Sequence, residues 1–203
     1  PFFVDDRGLR QSFEVEDQTI RLLAYAEDEP ETLQNTAKMY ASPTVYETLG
    51  WDELAVKPMP TSFPEGMQLA FETRVCPVIR KGSDGPRWNA GQELDAFLAE
   101  AWKPENEGVD LEREAIYRDW LEGHFERRGG VEPRQVGMER FSIERMTRRT
   151  HGEDRKVKTI QRPDVTLTGR VEVTDGDQLI ELLQSGIGRH KSFGYGMLKV
   201  RPA

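Results

Sequence analysis

The chain has 203 residues, 36% of them hydrophobic, which suffices for one large domain or two small ones, and it holds no apolar run near the roughly 20 residues of a membrane-spanning helix. Its single cysteine, Cys76, excludes an internal disulfide framework and a multi-cysteine zinc cluster, and with no signal-peptide pattern the expectation is a cytoplasmic protein. A formal net charge of −8 argues against a polyanionic partner for the chain as a whole, although the charge is unevenly spread.

In chain order, Pro1 to Val4 and Thr19 to Ala26 are predicted as strands of a first hairpin. Pro30 then stands where a first helical turn tolerates proline, and Leu33, Ala37 and Tyr40 share one helix face. Trp51 to Val56 is expected to return as a strand. Pro58, Pro60 and Pro64 make a stiff connection. Met67 to Val75 alternates cleanly, with Met67, Leu69, Phe71 and Val75 on one side and Pro77 closing the strand. Two helices follow by three-to-four spacing, one through Leu94, Phe97, Leu98 and Trp102, the other through Ala115, Ile116, Trp120, Leu121 and Phe125. Lys103-Pro104 to Gly108 breaks between them, and Gly129-Gly130 ends the second.

Val136 to Met146 is predicted as a strand carrying Phe141 and Ile143 on one face, and a basic turn leads back into Val165 to Val173. There Val165, Leu167, Val171 and Val173 face one way, and Gly169 on that apolar face predicts a bulge or a close backbone neighbour. Thr174 or Asp175 caps a helix bearing Leu179, Ile180, Leu182 and Leu183, which stops at Gly186. Met197 to Arg201 alternates as the final strand. The order β, α, β, β, α, β is the ferredoxin-like arrangement. The fold class expected is therefore α+β, with two tandem ferredoxin-like (RRM-like) units. Residues 1–60 form an incomplete first unit lacking its opening strand and helix, 61–66 a linker, and 67–203 the second unit.

Residues 1–126 hold 12 basic and 26 acidic side chains, whereas 127–162 hold 11 and 5, and 186–203 hold 4 and none. Two basic blocks in an acidic body focus a polyanion onto one groove; two solvated loops would give the same count. The first block carries Arg140, Arg145, Arg148, Arg149, Arg155, Lys156, Lys158 and Arg162, with acidic residues between. It reads as a β-hairpin whose exposed face tracks an A-form duplex. The second holds Gly186, Gly188, Arg189, His190, Lys191, Gly194 and Gly196. This loop leaves a helix C-terminus and enters a strand, the reverse of a dinucleotide fingerprint, so side-chain cations must supply any attraction for an anion. The glycines then serve close approach of a polynucleotide backbone. Phe193 and Tyr195 either stack on a base or pack beneath the loop. No metal or cofactor is expected.

The glycine loop followed by Met197 to Pro202 resembles the C-terminal signature of the CRISPR repeat-processing endoribonucleases of the RAMP superfamily. The likeness is greatest to the CasE-type subunit of type I-E Cascade. Val56-Lys57-Pro58-Met59-Pro60, Leu69 to Pro77 with Arg74, Asp95-Ala96-Phe97-Leu98 and Tyr117-Arg118-Asp119-Trp120-Leu121 also match. The resemblance implies tandem ferredoxin-like domains and an enzyme that grips a stem-loop in CRISPR repeat RNA. Such an enzyme cuts once at the stem base without metal and keeps its product within Cascade, beside the other Cascade subunits.

The family's principal catalytic histidine lies on the first helix of its N-terminal domain, and none of His124, His151 and His190 occupies that place; the chain is expected to begin after that helix. Lys158 resembles the family's lysine beside the scissile phosphate, with Arg162 as its rival. His151 and His190, each beside cations, are candidates for phosphate contact or proton donation, and His151 joins Lys158 as a candidate catalytic residue. His124, on an amphipathic helix, reads as a surface histidine. Binding of the hairpin without cleavage is the alternative function.

Overall fold

The computed structural model describes residues 23–149 and 157–203, with Arg148, Arg149 and Lys158 as backbone alone. Two compact units divide the chain, Pro1–Thr61 and Ser62–Ala203. In the first, α1 (Pro30–Tyr40) starts on its proline, with Glu31 in the first turn and Lys38 in the last, as the helix dipole favours. Ala37 is buried, but Tyr40, expected on the same face, is 81% exposed. A second helix, α2 (Pro43–Thr48), is capped by Ser42.

The strand expected over Trp51 to Val56 does not form. Gly50 turns left-handed at φ 55, and Trp51–Glu53 coils into a 3-10 turn whose Trp51 carbonyl accepts from Gln34 Nε2 at 2.9 Å. Asp52 and Glu53 are poor strand formers, so the glycine turn prevails. Ala24 and Tyr25 occupy β-bridge positions; Pro1 to Val4 and residues 19–22 of the expected hairpin lie outside the described residues.

The second unit opens with β1 (Gln68–Val75), whose Leu69, Phe71, Thr73 and Val75 are all buried. A two-stranded sheet follows, β2 (Val78–Arg80) and β3 (Glu93–Asp95). Leu94, expected on a helix, lies on β3 instead. Asp95 decides the boundary: its Oδ1 accepts from Phe97 N at 2.8 Å, so α3 (Ala96–Ala101) starts only after it. Next, α4 (Arg113–Arg128) buries Tyr117, Leu121 and Phe125 and stops at Gly129, where φ is 72. The Tyr117 hydroxyl, with no solvent access, meets Asp95 at 2.9 Å and Arg113 at 2.6 Å. The bond to Asp95 ties the inserted segment to the helix.

A long hairpin comes next, β4 (Val131–Arg149) and β5 (Val157–Val173), then α5 (Gly176–Ser185) and β6 (Leu198–Pro202). Asp175 caps α5, accepting from Gln178 N at 3.0 Å. The four-stranded sheet has the order β4-β5-β1-β6 with every pair antiparallel. With α4 and α5 as its two crossovers, this is the ferredoxin-like topology that the spacing predicts. The β2–β3 and α3 insertion explains why the first crossover is so long.

β1 pairs with β5 only up to the Val75–Val165 position, where Phe141 stands opposite on β4. Beyond it, among the described residues, 142–149 and 157–164 pair only with each other. This two-stranded ribbon leaves the sheet, and so its Ile143 and Val157 are exposed rather than part of the core.

Gly169 serves both ends the sequence suggests. The β4–β5 register shifts between Pro133 and Gln135, and a Cβ on Gly169 would lie 1.9 Å from the Gln135 carbonyl oxygen and 2.9 Å from the Phe71 ring. Gly169→Ala must therefore move backbone in the sheet centre. The expected cost is about 1–3 kcal/mol, read as a lower urea midpoint; an unchanged midpoint would mean that the bulge yields freely.

Candidate nucleic-acid interface

Two carboxylates with little solvent access organise the cations of the second unit. Asp164, on β5 where the ribbon leaves the sheet, is 1% exposed. Arg74 of β1 grips it with both prongs, Nε to Oδ1 at 2.8 Å and Nη2 to Oδ2 at 2.6 Å, and Arg140 of β4 adds Nη2 at 3.5 Å. The hydrogen bond to Asp164 raises the Arg74 pKa further, against the opposing effect of its own burial. Beneath it lies the Tyr195 ring, 4.9 Å from the guanidinium carbon. Tyr195 is therefore packed under the loop, with burial pushing its phenol up to about 12. Phe193 stays 39% exposed, edge-on to His190.

Glu93, on β3, is the second collector. Its carboxylate meets Arg162 Nη2 of β5 at 3.3 Å, Arg189 Nε at 2.5 Å and His190 Nε2 at 2.9 Å. The root of the basic ribbon and the glycine-rich loop are thus joined through one group. Sequence spacing singles out all three partners but not Glu93, which lies among ordinary surface carboxylates. Only its place on a short strand beside the loop gives it this role. Burial alone would raise the Glu93 pKa, but His190 and Arg189 overcome it and hold the carboxyl below its ordinary range.

The loop is shaped by its glycines and by His190, which is left-handed at φ 62. Ile187 N donates to the Gly196 carbonyl at 2.7 Å, and Gly196 N donates to Arg74 O at 2.7 Å. A Cβ at Gly196 would lie 2.1 Å from the Ile187 carbonyl oxygen, so the loop's neck closes only without one. Gly186 meets the Gly196 carbonyl in the same neck, Gly188 packs on the Trp120 indole, and Gly194 has open space around it. Lys191 turns away from Glu93, and its Nζ donates to the Ser185 carbonyl at the end of α5.

Arg145 is exposed on the ribbon. Arg148 and Lys158 stand opposite each other in the ribbon register, with Arg149 opposite Val157. His151, Arg155 and Lys156 lie outside the described residues. His124, read from sequence as a surface residue, is instead half-buried on α4. Its Nδ1 lies 2.9 Å from the Trp120 carbonyl, and burial lowers its pKa. Arg127 Nη2 approaches the same nitrogen at 3.0 Å; the carbonyl can only accept and the guanidinium can only donate, so Nδ1 bonds one or the other according to the ring's tautomer. Cys76 is buried, its thiol pushed up to about 12 by desolvation, and offers no thiolate. Among the described residues no group of three or more His, Cys, Asp or Glu side chains is placed to hold a metal ion, and no helix is long and apolar enough to cross a membrane.

A family described as CRISPR associated protein matches residues 5–202. The chain belongs to this family. No curated protein matches it significantly. Among solved structures, CRISPR endoribonuclease Cse3 bound to a 19 nt RNA is 24% identical with a TM-score of 0.52; the match covers 73% of this chain and 64% of that one. The chain therefore spans less than two thirds of that Cse3 chain. The CRISPR-associated protein Cas6e from Escherichia coli str. K-12 is 20% identical over 100% of this chain and 83% of its own, with a TM-score of 0.52. A chain of a CRISPR RNA-guided surveillance complex is 19% identical over 74% of this chain and 66% of its own, at 0.51. These likenesses establish the tandem ferredoxin-like α+β fold.

The Glu93 cluster gives a signed pH prediction. A carboxyl held low in the folded state adds stability above its unfolded pKa of about 4.3, and that stability is lost as pH falls through the lower folded value. Glu93→Gln should cost about 1–3 kcal/mol near neutral pH, since it leaves the cations without their counter-charge. The deficit should shrink below about pH 4. Urea unfolding of both proteins at the two pH values checks it, and a deficit that does not change with pH would deny the ion cluster its role.

Proposed function

We propose that the chain binds the stem-loop of CRISPR repeat RNA, cuts it once at the stem base without metal, and stays on the product as a Cascade subunit. The observation that carries this reading is the junction at Glu93, where ribbon and glycine loop present cations together in a member of a CRISPR associated family. The likeness in fold to a CRISPR endoribonuclease bound to RNA supports it. The ribbon suits a duplex: an A-form major groove is deep and lined by phosphate, and a two-stranded arm bearing Arg145, Arg148 and Arg149 fits along it. Arginine forks suit phosphate oxygens better than lysine does.

Cleavage proceeds by attack of the ribose 2′-oxygen on the adjacent phosphorus. The 2′-proton passes to a base, the bond from phosphorus to the 5′-oxygen breaks, and an acid protonates that leaving oxygen. The products are a 2′,3′-cyclic phosphate and a 5′-hydroxyl. Lys158 is assigned the fixed charge that stabilises the phosphorane, and His151 the proton donor. A second reading, binding without cutting, has one observation in its favour. The described histidines, His124 and His190, are each already engaged within the protein, by the Trp120 carbonyl and by Glu93.

Repeat RNA incubated with the protein in EDTA separates the two. A single cut with a cyclic-phosphate end supports the enzyme, a gel shift without a cut supports the binder, and neither result sinks both. Arg148→Ala with Arg149→Ala should also weaken RNA binding and reduce the slope of log affinity against log salt by about 2, because fewer counterions are released. An unchanged slope would remove the ribbon from the interface.

A further inference from the structure

Between the C-terminal half of α4 and the glycine-rich loop lies a cleft of about 320 Å³, at the small end of ligand pockets. Arg80, His124, Arg128, Arg189 and Lys191 line it, beside the Trp120 indole and an apolar floor. Among the described residues no carboxylate lines it. Among the described residues, Arg189 alone of these side chains reaches one nearby, and it shares Glu93 with Arg162 and His190.

One structural duty accounts for part of this charge. Both α4 and α5 end at the cleft, each bringing roughly half a negative charge, and Arg128 and Lys191 answer them at Ser185, the first on its Oγ and the second on its carbonyl. Two half-charges do not balance the cations present. Burial first, then the neighbouring Arg128, lowers the Lys191 pKa. His124 completes the wall. With Nδ1 facing the Trp120 carbonyl and Arg127, Nε2 is the ring nitrogen left for a ligand, and it donates to an anion when it carries the proton, in the tautomer whose Nδ1 accepts from Arg127 or in the imidazolium. Gly188 brings loop backbone directly against Trp120; a Cβ there would lie 2.8 Å from the indole.

We propose that this cleft is a phosphate-binding site, recognising a phosphate group of a nucleotide or of an RNA strand outside the duplex held by the ribbon. It rests on the proposed function for its loop cations Arg189 and Lys191, and it adds Arg80, His124 and Arg128, which lie on elements with no place in that reading. Four basic side chains surround a group carrying about two negative charges, His124 adds a fifth donor when Nε2 carries the proton, and the indole offers an adjoining base a stacking face.

The imidazole signals of His124, followed by NMR while inorganic phosphate replaces chloride at constant ionic strength, test this. A saturable shift is expected. Arg80→Gln and Arg128→Gln, each at an exposed position, should raise the midpoint at least about tenfold, as loss of one hydrogen bond to a charged group implies. A linear response in the wild-type protein, or midpoints unmoved in both variants, would overturn the site. An unstructured trinucleotide with and without a terminal phosphate then tells the sources apart. Competition from both forms assigns the site to chain phosphates, and competition only from the phosphorylated form assigns it to a terminal group. Wild-type protein that shifts a repeat hairpin yet shows no saturable phosphate response would refute the cleft alone. A phosphate response without hairpin binding would refute the proposed function and leave the cleft.

Discussion

A carboxylate taken out of water is tolerated only among cations and hydrogen-bond donors, and Glu93 and Asp164 impose that requirement on everything around them. Asp164 draws Arg74 from β1 and Arg140 from β4 to the point where the ribbon leaves the sheet. Glu93 draws Arg162 from β5 and Arg189 and His190 from the loop. Each collects side chains far apart in sequence, so the hairpin, the loop and the β2–β3 insertion are held together by charge beside the small apolar cluster of Cys76, Val78, Met146 and Tyr195. An isolated two-stranded ribbon is marginal in water; the two ion clusters, with Met146 and Ile160 packed on Val78 and Tyr195, anchor its root and let it project.

The same clusters hold cations at fixed places on the surface, as the proposed RNA binding requires. Arg74 and Arg140 remain 45% and 56% exposed although their partner is buried. Their forks are thus oriented from behind by Asp164 while their outer edges face water. Such a side chain has already lost the rotamer freedom that binding would otherwise remove, and the loss is charged to folding instead. The cost is a smaller net attraction per cation, since each carboxylate cancels part of the field.

How much of this is legible in the sequence depends on the kind of signal. The second unit can be read because alternation in Leu69 to Val75 and Val165 to Val173, and spacing in α4 and α5, record burial residue by residue. Gly169 is readable because a missing side chain on an apolar strand face leaves a gap in the core, and a close-packed interior fills it with neighbouring backbone. Leu94 is misplaced by its spacing to Phe97 and Leu98, which fits a helix, and only the capping carboxylate of Asp95 shows where the helix starts. Trp51 to Val56 fails for a related reason: a short, weakly alternating run yields to the glycine turn before it. Glu93 and the position of His124 cannot be read at all. Both depend on which segments meet, and nothing local to Gln92-Glu93-Leu94 or Gly123-His124-Phe125 records their distant partners.

Charge distribution links these levels. The acidic residues that outnumber the basic ones in the first 126 positions belong mostly to segments outside the ribbon and the loop, and a polyanion is repelled there. Within the second unit the cations separate again. Arg140, Arg145 and Arg162 follow the ribbon; Arg189 and His190 turn to its root, and Lys191 turns the opposite way, toward Arg128 and the end of α5. Arg189 alone faces both, since it bonds Glu93 and lines the cleft. An anion entering the cleft must therefore compete with Glu93 for one guanidinium, and Arg189 can be drawn toward it only by loosening its hold on the carboxylate that ties loop to ribbon. A single arginine is thus shared between the two cationic surfaces.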